Sequence, residues 1–412
     1  MEVARQLKFN VLFRFFTGLR AEDPIPDDSS LVVFRKRLGE RRFERVFDEF
    51  VSQCKDKGLL HQKLKVIDAT HIVADVAIPN TISLLKEGRR RVLREIKKER
   101  KGIDKALEKY LPEKDASSRE PSKEETLAKE HTLSTELIRA VKGKYSPRVE
   151  KQVHLLEETV EPERKRTLVS FVDPEARFGR KGKDTRFAGY KAHAVADESH
   201  IVTSLETLSG NENEANEANV ERILKKEDAK GLRGEAVVGD ALYDSLANRK
   251  NIAKRGMKHY IPEKRKIKKI NDFIYSEEED RLICPKGHAS LGKTPYENGY
   301  LYYFSPTFCK DCERRTKCRL NKDRARVYLS NSHLLFLKTD PEKRREALGR
   351  RKRIEAKFGQ VKKHHQMARA RYRGRWRVAI QVFMTFIVAN LKRMIKLLQV
   401  KQNSMQLVLS SG

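Results

Sequence analysis

The chain has 412 residues, a formal net charge of +31 and a charged fraction of 36%. This length allows a sizeable core with additional modules, and so large a positive excess excludes a partner that is neutral. We expect a polyanion as partner, and nucleic acid rather than a membrane, because no lipid-insertion signal accompanies the charge.

The first 60 residues are predicted to form a small helical unit. Apolar spacing predicts helices over residues 7–17, 31–38 and 43–51. Three short helices can form a DNA-reading module or a packing cap, and we favour DNA contact. Residues 1–6 lack the basic and apolar regions of a signal peptide, so we expect a cytoplasmic protein.

Two short apolar segments are predicted to be buried strands that end in an aspartate. Residues 64–68 end in Asp68, and residues 236–240 end in Asp240. Open α/β sheets hold catalytic groups at strand ends, although aspartate is also a common turn former. The intervening sheet residues are predicted to form two antiparallel strands and a helix, over residues 187–196, 201–207 and 214–224.

Long, highly charged helices are predicted after the first of these strands. Apolar residues from Ile82 to Tyr110 recur at steps of three, four and seven, which is typical of helices that pack along a narrow stripe. The pattern breaks at residues 115–124 and then resumes. We interpret residues 82–166 as a helical hairpin inserted into the sheet domain; the alternative is a mostly disordered charged linker.

Four of the five cysteines lie in a second insertion. In a cytoplasmic protein they favour a metal site or free thiols over disulfides. Cys309 and Cys312 have the spacing of a zinc knuckle, and Cys284 with Cys318 completes four thiolates for a structural Zn²⁺. His288 is a possible substitute ligand.

Glu355 lies in a strongly basic segment. Between residues 343 and 377 there are fifteen lysines and arginines but only two acids. If the segment is helical, Ile354, Phe358 and Val361 form an apolar stripe with Glu355 at its edge, facing a cleft. Such a carboxylate suits an enzyme that binds a nucleic-acid backbone and holds a divalent metal. The alternative is a solvated helix whose glutamate pairs with an arginine one turn earlier.

The end of the chain is predicted to form an arginine-rich turn, residues 369–377, and a final helix, residues 376–398. Its apolar part, residues 378–389, is too short to span a membrane and is predicted to be a core helix.

Other polar residues compete with the three acids Asp68, Asp240 and Glu355. Asp173 is the main competitor, and we expect it at the sheet edge in a turn, where Pro174 favours a bend. His193 lies on a predicted strand and is interpreted as structural.

The order of strand, two antiparallel strands, helix, strand, helix, strand and helix is that of a ribonuclease H-like core. The chain resembles the DDE transposases of bacterial insertion sequences, whose glutamate lies in a Tyr-x2-Arg-x3-Glu-x6-Lys signature. Arg351, Glu355 and Lys362 fit that spacing, while Leu348 occupies the tyrosine position. Further similar motifs lie at residues 34–39, 68–70, 173–178 and 239–245.

This resemblance implies cutting and joining of DNA at the ends of a mobile element, with Asp68, Asp240 and Glu355 holding two Mg²⁺ or Mn²⁺ ions. Two metals ~3.5–4 Å apart activate the attacking oxygen and stabilise the leaving oxygen. The basic side chains expected to bind DNA are Arg351, Lys362, Lys363, Arg369, Arg371 and Arg373. Double-stranded DNA is the implied partner, at terminal inverted repeats and at the target, together with further copies of the chain on paired ends.

The predicted fold class is α/β, a ribonuclease H-like mixed sheet flanked by helices and carrying the additional modules. The predicted parts are 1–60 (DNA-end-binding helices), 61–81 with 167–269 (first parts of the core), 82–166 (charged helical insertion), 270–335 (cysteine-rich insertion), 336–400 (last part of the core) and 401–412 (tail). Two alternatives stay open: a metal-dependent nuclease without strand transfer, and an inactive DNA-binding regulator.

Overall fold

The computed structural model describes residues 2–112, 122–161, 167–182, 185–264, 272–314 and 325–410, with side chains as far as residue 403. Across these ranges the chain is a mixed α/β fold, in which a seven-stranded mixed sheet is covered by helices on both faces.

The central sheet places side by side the strand that contains Asp68 and a strand that ends two residues before Asp240, at Val238 instead of the predicted residue 240. Its strands are β1 (Leu64–Val73), β2 (Leu168–Ser170), β3 (Asp173–Lys181), β4 (Thr185–Asp197), β5 (Val202–Ser209), β6 (Ala236–Val238) and β7 (Lys258–Tyr260). The order is β2-β3-β4-β1-β6-β7, and β5 also pairs with β4. β1 is antiparallel to β4 and parallel to β6. The predicted antiparallel pair, β4 and β5, is confirmed.

The prediction that the first strand ends at Asp68 is wrong. β1 continues to Val73, because its second half keeps pairing with β4. Its pairing with β6 stops earlier, at Val66 and Val238. Asp68 therefore lies in the middle of a strand that has a neighbour on one side only at this point.

Alternate residues of the strands pack into two cores. The covering helices are α3 (Asp28–Asp56), α8 (Glu217–Ala229), α9 (Leu246–Lys254), α12 (Pro341–His364) and α13 (Arg375–Ser410). Val66 and Val238 join the core with α3, α12 and α13, whereas Ile67 and Val237 join the core with α8 and α9. This alternation is the period of two of a sheet buried on both faces.

The first of the predicted N-terminal helices is divided in two in the structure. The segment expected as one helix forms α1 (Glu2–Phe9) and α2 (Val11–Thr17), because the side chain of Asn10 caps α2 by accepting from Leu12 N. The next two predicted helices lie on either side of Gly39 in α3, where φ of +64° and ψ of 174° interrupt the helix, so the predicted break between them is confirmed.

The charged insertion has a core of its own. Its described residues form the helices α4 (Thr81–Arg100), α5 (Lys105–Glu108), α6 (Lys123–Val141) and α7 (Pro147–Val160). Within residues 82–112 and 122–161, three long helices and one short helix therefore take the place of the predicted hairpin. Leu84, Val92, Leu137 and Leu156 are buried among them, together with Phe171 beside β2. Residues 113–121, which include most of the predicted break, lie outside the described residues.

The cysteine-rich insertion also folds around apolar side chains. Its elements are β8 (Ile274–Ser276), β9 (Arg281–Ile283), β10 (Gly292–Tyr296), β11 (Gly299–Tyr303), α10 (Pro306–Lys310), β12 (Arg326–Ser330) and α11 (Asn331–Leu337). Phe273, Tyr302 and Phe304 form its core, and Cys284 and Cys309 pack against that cluster. The sequence pattern had not predicted these strands.

α13 is the one helix in the described ranges that is long and apolar enough to cross a membrane, over Arg375–Asn403, and 56% of its most apolar window is buried. Val378, Phe383 and Phe386 lie in the main core, which confirms the predicted core helix. α13 extends past the predicted helix end at residue 398 and continues as far as Ser410, within the segment predicted as the tail.

Within the charged insertion, a buried ion pair joins two helices. Arg89 of α4 is fully buried and contacts the carboxylate of Glu130 on α6, the hydroxyl of Ser134 and the carbonyl of Tyr110. Removing one partner leaves the other charge buried without compensation.

We therefore expect Arg89→Ala to lower the free energy of unfolding by about 3–5 kcal/mol, measured by urea denaturation. Arg90→Ala is the matched control, because Arg90 lies beside it with its side chain 47% exposed, and it is expected to change stability by less than about 0.5 kcal/mol. Equal effects of both variants would contradict this account.

Candidate active site

The register of β1 and β6 brings Asp68 and Asp240 together. Val66 pairs with Val238, and each aspartate follows its valine by two residues. Because side chains alternate along a strand, both aspartates are directed to the same face as the valines, toward α12. The backbone of Asp240 stays extended, and its carboxylate accepts a hydrogen bond from Leu242 N at 2.8 Å.

Arg351 connects this pair to Glu355. Its Nη1 lies 3.2 Å from Asp68 Oδ2, and its Nη2 lies 2.7 Å from Glu355 Oε1. Arg351 and Glu355 are one turn apart on α12, so one guanidinium reaches both carboxylates. Glu355 is 53% exposed, which means that it lies at the open edge of the site. The glutamate borders the acidic pair and also pairs with arginine, and metal binding by it stays a prediction.

Burial and negative charge together shift the pKa of Asp68. Burial, the largest cause, and the charges of Asp240 and Glu355 raise that pKa from 3.8 to about 7, against the opposing effects of the hydrogen bond from Ala69 N and the charge of Arg351. The site thus favours an added positive charge beside Asp68. An all-carboxylate donor set suits Mg²⁺ or Mn²⁺ by its chemistry.

Among the residues that the structure describes, no three His, Cys, Asp or Glu side chains lie close enough together to hold a metal. At the acidic site, Arg351 stands between Asp68 and Glu355 as the counter-ion. For a metal to bind both, its guanidinium would have to give up at least one of these contacts. In the cysteine-rich insertion, Cys318 lies outside the described residues, and the His288 ring stacks on Phe308 at 4.4 Å between centroids. Zinc binding there stays a prediction.

Lys362, the last member of the signature, is held beside the site. Its Nζ lies 3.3 Å from Nδ1 of His71 on β1, and burial with the nearby charge of Lys181 lowers its pKa to about 8. Burial, Lys362 and Lys181 lower the pKa of His71 to about 4, so this ring is neutral and can accept from the lysine. His71 had not been selected from the sequence, because only its folded position reveals it.

Leu348 occupies the position where the signature has tyrosine. Its side chain is partly buried and packs from α12 against the main core. The position therefore contributes packing in this chain.

The arginine-rich turn is fixed by its backbone, while its side chains point outward. Ala370 N donates to Val73 O at 2.7 Å, and Gly374 N donates to Asp173 Oδ1 at 3.1 Å. Of the predicted DNA-binding residues, Lys363, Arg369, Arg371 and Arg373 are exposed. Arg369 pairs with Asp75 at 3.1 Å. Arg369 and Arg373, which both contact Asp75, thus lie beyond the C-terminal end of β1, the strand that carries Asp68 in its middle.

Asp173 lies close to its predicted setting. It begins β3 directly after the turn at residues 171–172, next to the outermost strand β2, and it is buried there. Its carboxylate accepts from the hydroxyl of Tyr190 at 2.6 Å and from Gly374 N. Asp173 therefore anchors the basic turn.

His193 and Tyr243 lie behind the two aspartates. His193 pairs across the sheet with Ala69, is fully buried, and stacks on Tyr243 at 6.0 Å between ring centroids. Burial lowers the pKa of His193 to about 3, so the ring is neutral, in line with the structural role predicted for it. Tyr243 is equally buried and packs against Gly239.

A mixed sheet with two adjacent aspartates, a glutamate across from them and a border of exposed cations defines a class of enzyme that acts on phosphodiesters with the help of a divalent metal. A family model described as a transposase DDE domain matches residues 148–391, more than half of the chain, and the chain belongs to that family. The matched range includes Asp240 and Glu355 and begins after Asp68. Membership makes the chain a transposase-type enzyme with DNA as its partner, in a family that uses divalent metal.

Comparisons with curated proteins and with solved structures found no match.

The raised pKa of Asp68 predicts a pH-dependent stability in metal-free protein. Between about pH 4 and pH 7 the folded chain keeps a proton on Asp68 that the unfolded chain has released, so this residue's contribution to stability falls as the pH rises through that window. Asparagine cannot titrate. We expect the stability of Asp68→Asn relative to wild type to increase by on the order of 2–4 kcal/mol from pH 4 to pH 8.

The measurement is urea denaturation in EDTA at several pH values. Asp56→Asn, at an exposed position on α3, serves as the control. A stability difference between Asp68→Asn and wild type that stays constant with pH would contradict the electrostatic account of the site.

Proposed function

We propose that this protein is a DDE transposase that cleaves DNA at the ends of an insertion sequence and joins those ends to target DNA, using Asp68, Asp240 and Glu355. The observation that carries the proposal is the pairing of Val66 with Val238, which aligns the two aspartates beneath α12. The strand order, with β1 between β4 and β6, supports a ribonuclease H-like core.

The three carboxylates would hold Mg²⁺ or Mn²⁺, which when bound activates the attacking oxygen and neutralises charge at the phosphate. Asp68 lies on β1, and Asp240 follows the adjacent strand β6 by two residues, so the pairing of these strands limits their separation. Glu355 is carried by α12 and is more exposed. In the absence of metal, Arg351 holds the carboxylates of Asp68 and Glu355 in place. If the guanidinium releases Asp68, it can bind a phosphate oxygen of the DNA instead, because guanidinium groups bind such oxygens bidentately.

The basic side chains around the site would hold the DNA backbone. Lys362 reaches the site from the next turns of α12, and its lowered pKa allows a neutral form near pH 8. Lys363, Arg371 and Arg373 extend the cationic border outward. Contacts of this kind position a duplex without reading its sequence.

Three further parts of the proposal rest on the resemblance and on charge. Residues 1–60 would contact the element's ends, the chain would act as a homo-oligomer on paired ends, and it would act in the cytoplasm at the nucleoid. A nuclease with the same residues but no joining activity is the alternative, since hydrolysis and strand transfer differ in the nucleophile.

Catalysis is tested with DNA carrying the gene's own flanks, in Mg²⁺ or Mn²⁺. We expect Asp240→Asn and Glu355→Gln each to reduce nicking and joining by more than about 100-fold, because even outer-shell changes at metal sites cost 10–100-fold. DNA binding is expected to persist, since removing a negative charge from a cationic surface does not weaken phosphate attraction.

Glu346→Gln is the matched control. Glu346 lies on the same helix and pairs with Arg350, away from the aspartates, so its activity should equal that of wild type. Nicked but never joined products in the wild type would favour the nuclease. A wild type that binds and neither nicks nor joins would overturn the catalytic proposal.

Zinc binding by Cys284, Cys309, Cys312 and Cys318 is tested separately. We expect about one Zn²⁺ per chain by metal analysis of purified protein, lost in Cys312→Ser and retained in Cys54→Ala, because Cys54 lies in another part of the core. If purified wild-type protein contains no zinc and is folded, the zinc site is rejected, and the described part of the insertion is then stabilised by its aromatic core without metal.

A further inference from the structure

A cationic groove lies between α12 and α13, apart from the carboxylates. It has a volume of about 520 Å³, where ~10–15 Å³ on the same measure is enough for one water molecule. The basic residues that line it are His200, Arg353, Lys357, Lys392, Arg393 and Lys396. The rest of its lining is Ala356, Gln360, Ala389, Ile395 and Gln399, so no acid is among the lining residues.

The groove faces away from the candidate active site. At 100° per residue, Arg351 and Lys362 lie within about 40° of Glu355 around α12, whereas Arg353 and Lys357 lie about 160° from it. The first set contacts β1. The second set faces α13, where Lys357 Nζ donates to Ala389 O at 2.9 Å. One duplex segment lying across the carboxylates would not reach this second set.

The cations of the groove repel one another. Burial and Arg353 lower the pKa of Arg393, and burial and Arg393 lower the pKa of Lys357 to about 8. Arg393 donates to the carbonyl of Ser199, and among the described residues no ion pair links Arg353, Lys357, Lys392, Arg393 or Lys396 to a carboxylate. The groove therefore concentrates positive potential, which an anion would relieve.

The arrangement extends along the helix. The lining residues of α13 run from Ala389 to Gln399, which is about 15 Å of helix at 1.5 Å per residue. One strand of B-DNA carries a phosphate every ~3.4 Å along its axis, so about four phosphates fit beside this length. A single small anion would occupy only part of it.

We infer that this groove is a second DNA-binding surface, which holds the phosphate backbone of a duplex segment on the side of α12 opposite Asp68, Asp240 and Glu355. Lys392, Lys396 and Arg353 are exposed and supply the outer contacts, while Arg393 and Lys357 form its base. The inference takes from the proposed function only that the partner is DNA, and it does not depend on catalysis.

The experiment measures binding of a 30-base-pair duplex to full-length protein as a function of salt, in EDTA so that no cleavage occurs. The variant is Arg353→Gln, Lys392→Gln and Lys396→Gln combined. Each lost phosphate contact lowers the slope of log affinity against log salt by about 0.9, so we expect a slope smaller by about 2–3. The control combines Lys97→Gln, Lys250→Gln and Lys254→Gln, three exposed cations outside the groove, and its slope should fall by less than about 1.

Equal slopes for the groove variant and the control would overturn the inference. So would a wild-type groove that binds inorganic tripolyphosphate, lost in the variant, while the duplex slope stays unchanged, because the groove would then take small anions only. The two proposals can fail separately. If wild-type protein neither nicks nor joins DNA in Mg²⁺ or Mn²⁺ but the difference in salt slope is observed, the transposase activity is contradicted and the second DNA-binding surface is supported.

Discussion

The parallel pairing of β1 with β6 is the constraint on which the rest of the structure depends. These strands are separated by more than 160 residues of sequence, yet Leu64 to Val66 align with Ala236 to Val238. Only this register places Asp68 beside Asp240, since a slip of one residue would turn every side chain of a strand to the opposite face. β1 then continues along β4, which holds Asp68 rigidly while leaving its other side open.

The acids of the site and Asp173 are each paired with a positive or hydrogen-bond-donating group of this basic chain. Arg351 neutralises the carboxylates across the site, and Asp173 holds the arginine-rich turn through the amide of Gly374. Asp68, which is partly buried, and Asp173, which is buried, therefore fix α12 and the arginine-rich turn in place. The exposed arginines of the turn remain accessible to phosphate. On the far side of α12 no acid lines the groove, so its positive potential is left for an external anion.

The two insertions leave the central sheet intact because each buries apolar residues in a cluster of its own, which Leu168 and Phe171 at the sheet join in the case of the charged helices. The charged helices close around Leu84 and Leu156, and the cysteine-rich segment closes around Tyr302 and Phe304. Surface loops tolerate long insertions because closing a longer loop costs little additional entropy. The insertions can thus be accommodated without a change in the register of β1 and β6.

The sequence by itself determined the main strands, the core helix near residues 378–389 and the acids worth testing, because these depend on local apolar periodicity and on residue type. It also carried the resemblance that the family match supports. The length of β1 past Asp68, the burial of Asp173, the contact of His71 with Lys362 and the groove behind α12 were decided only by tertiary structure. Each depends on residues far apart in sequence, whose distances no local pattern encodes.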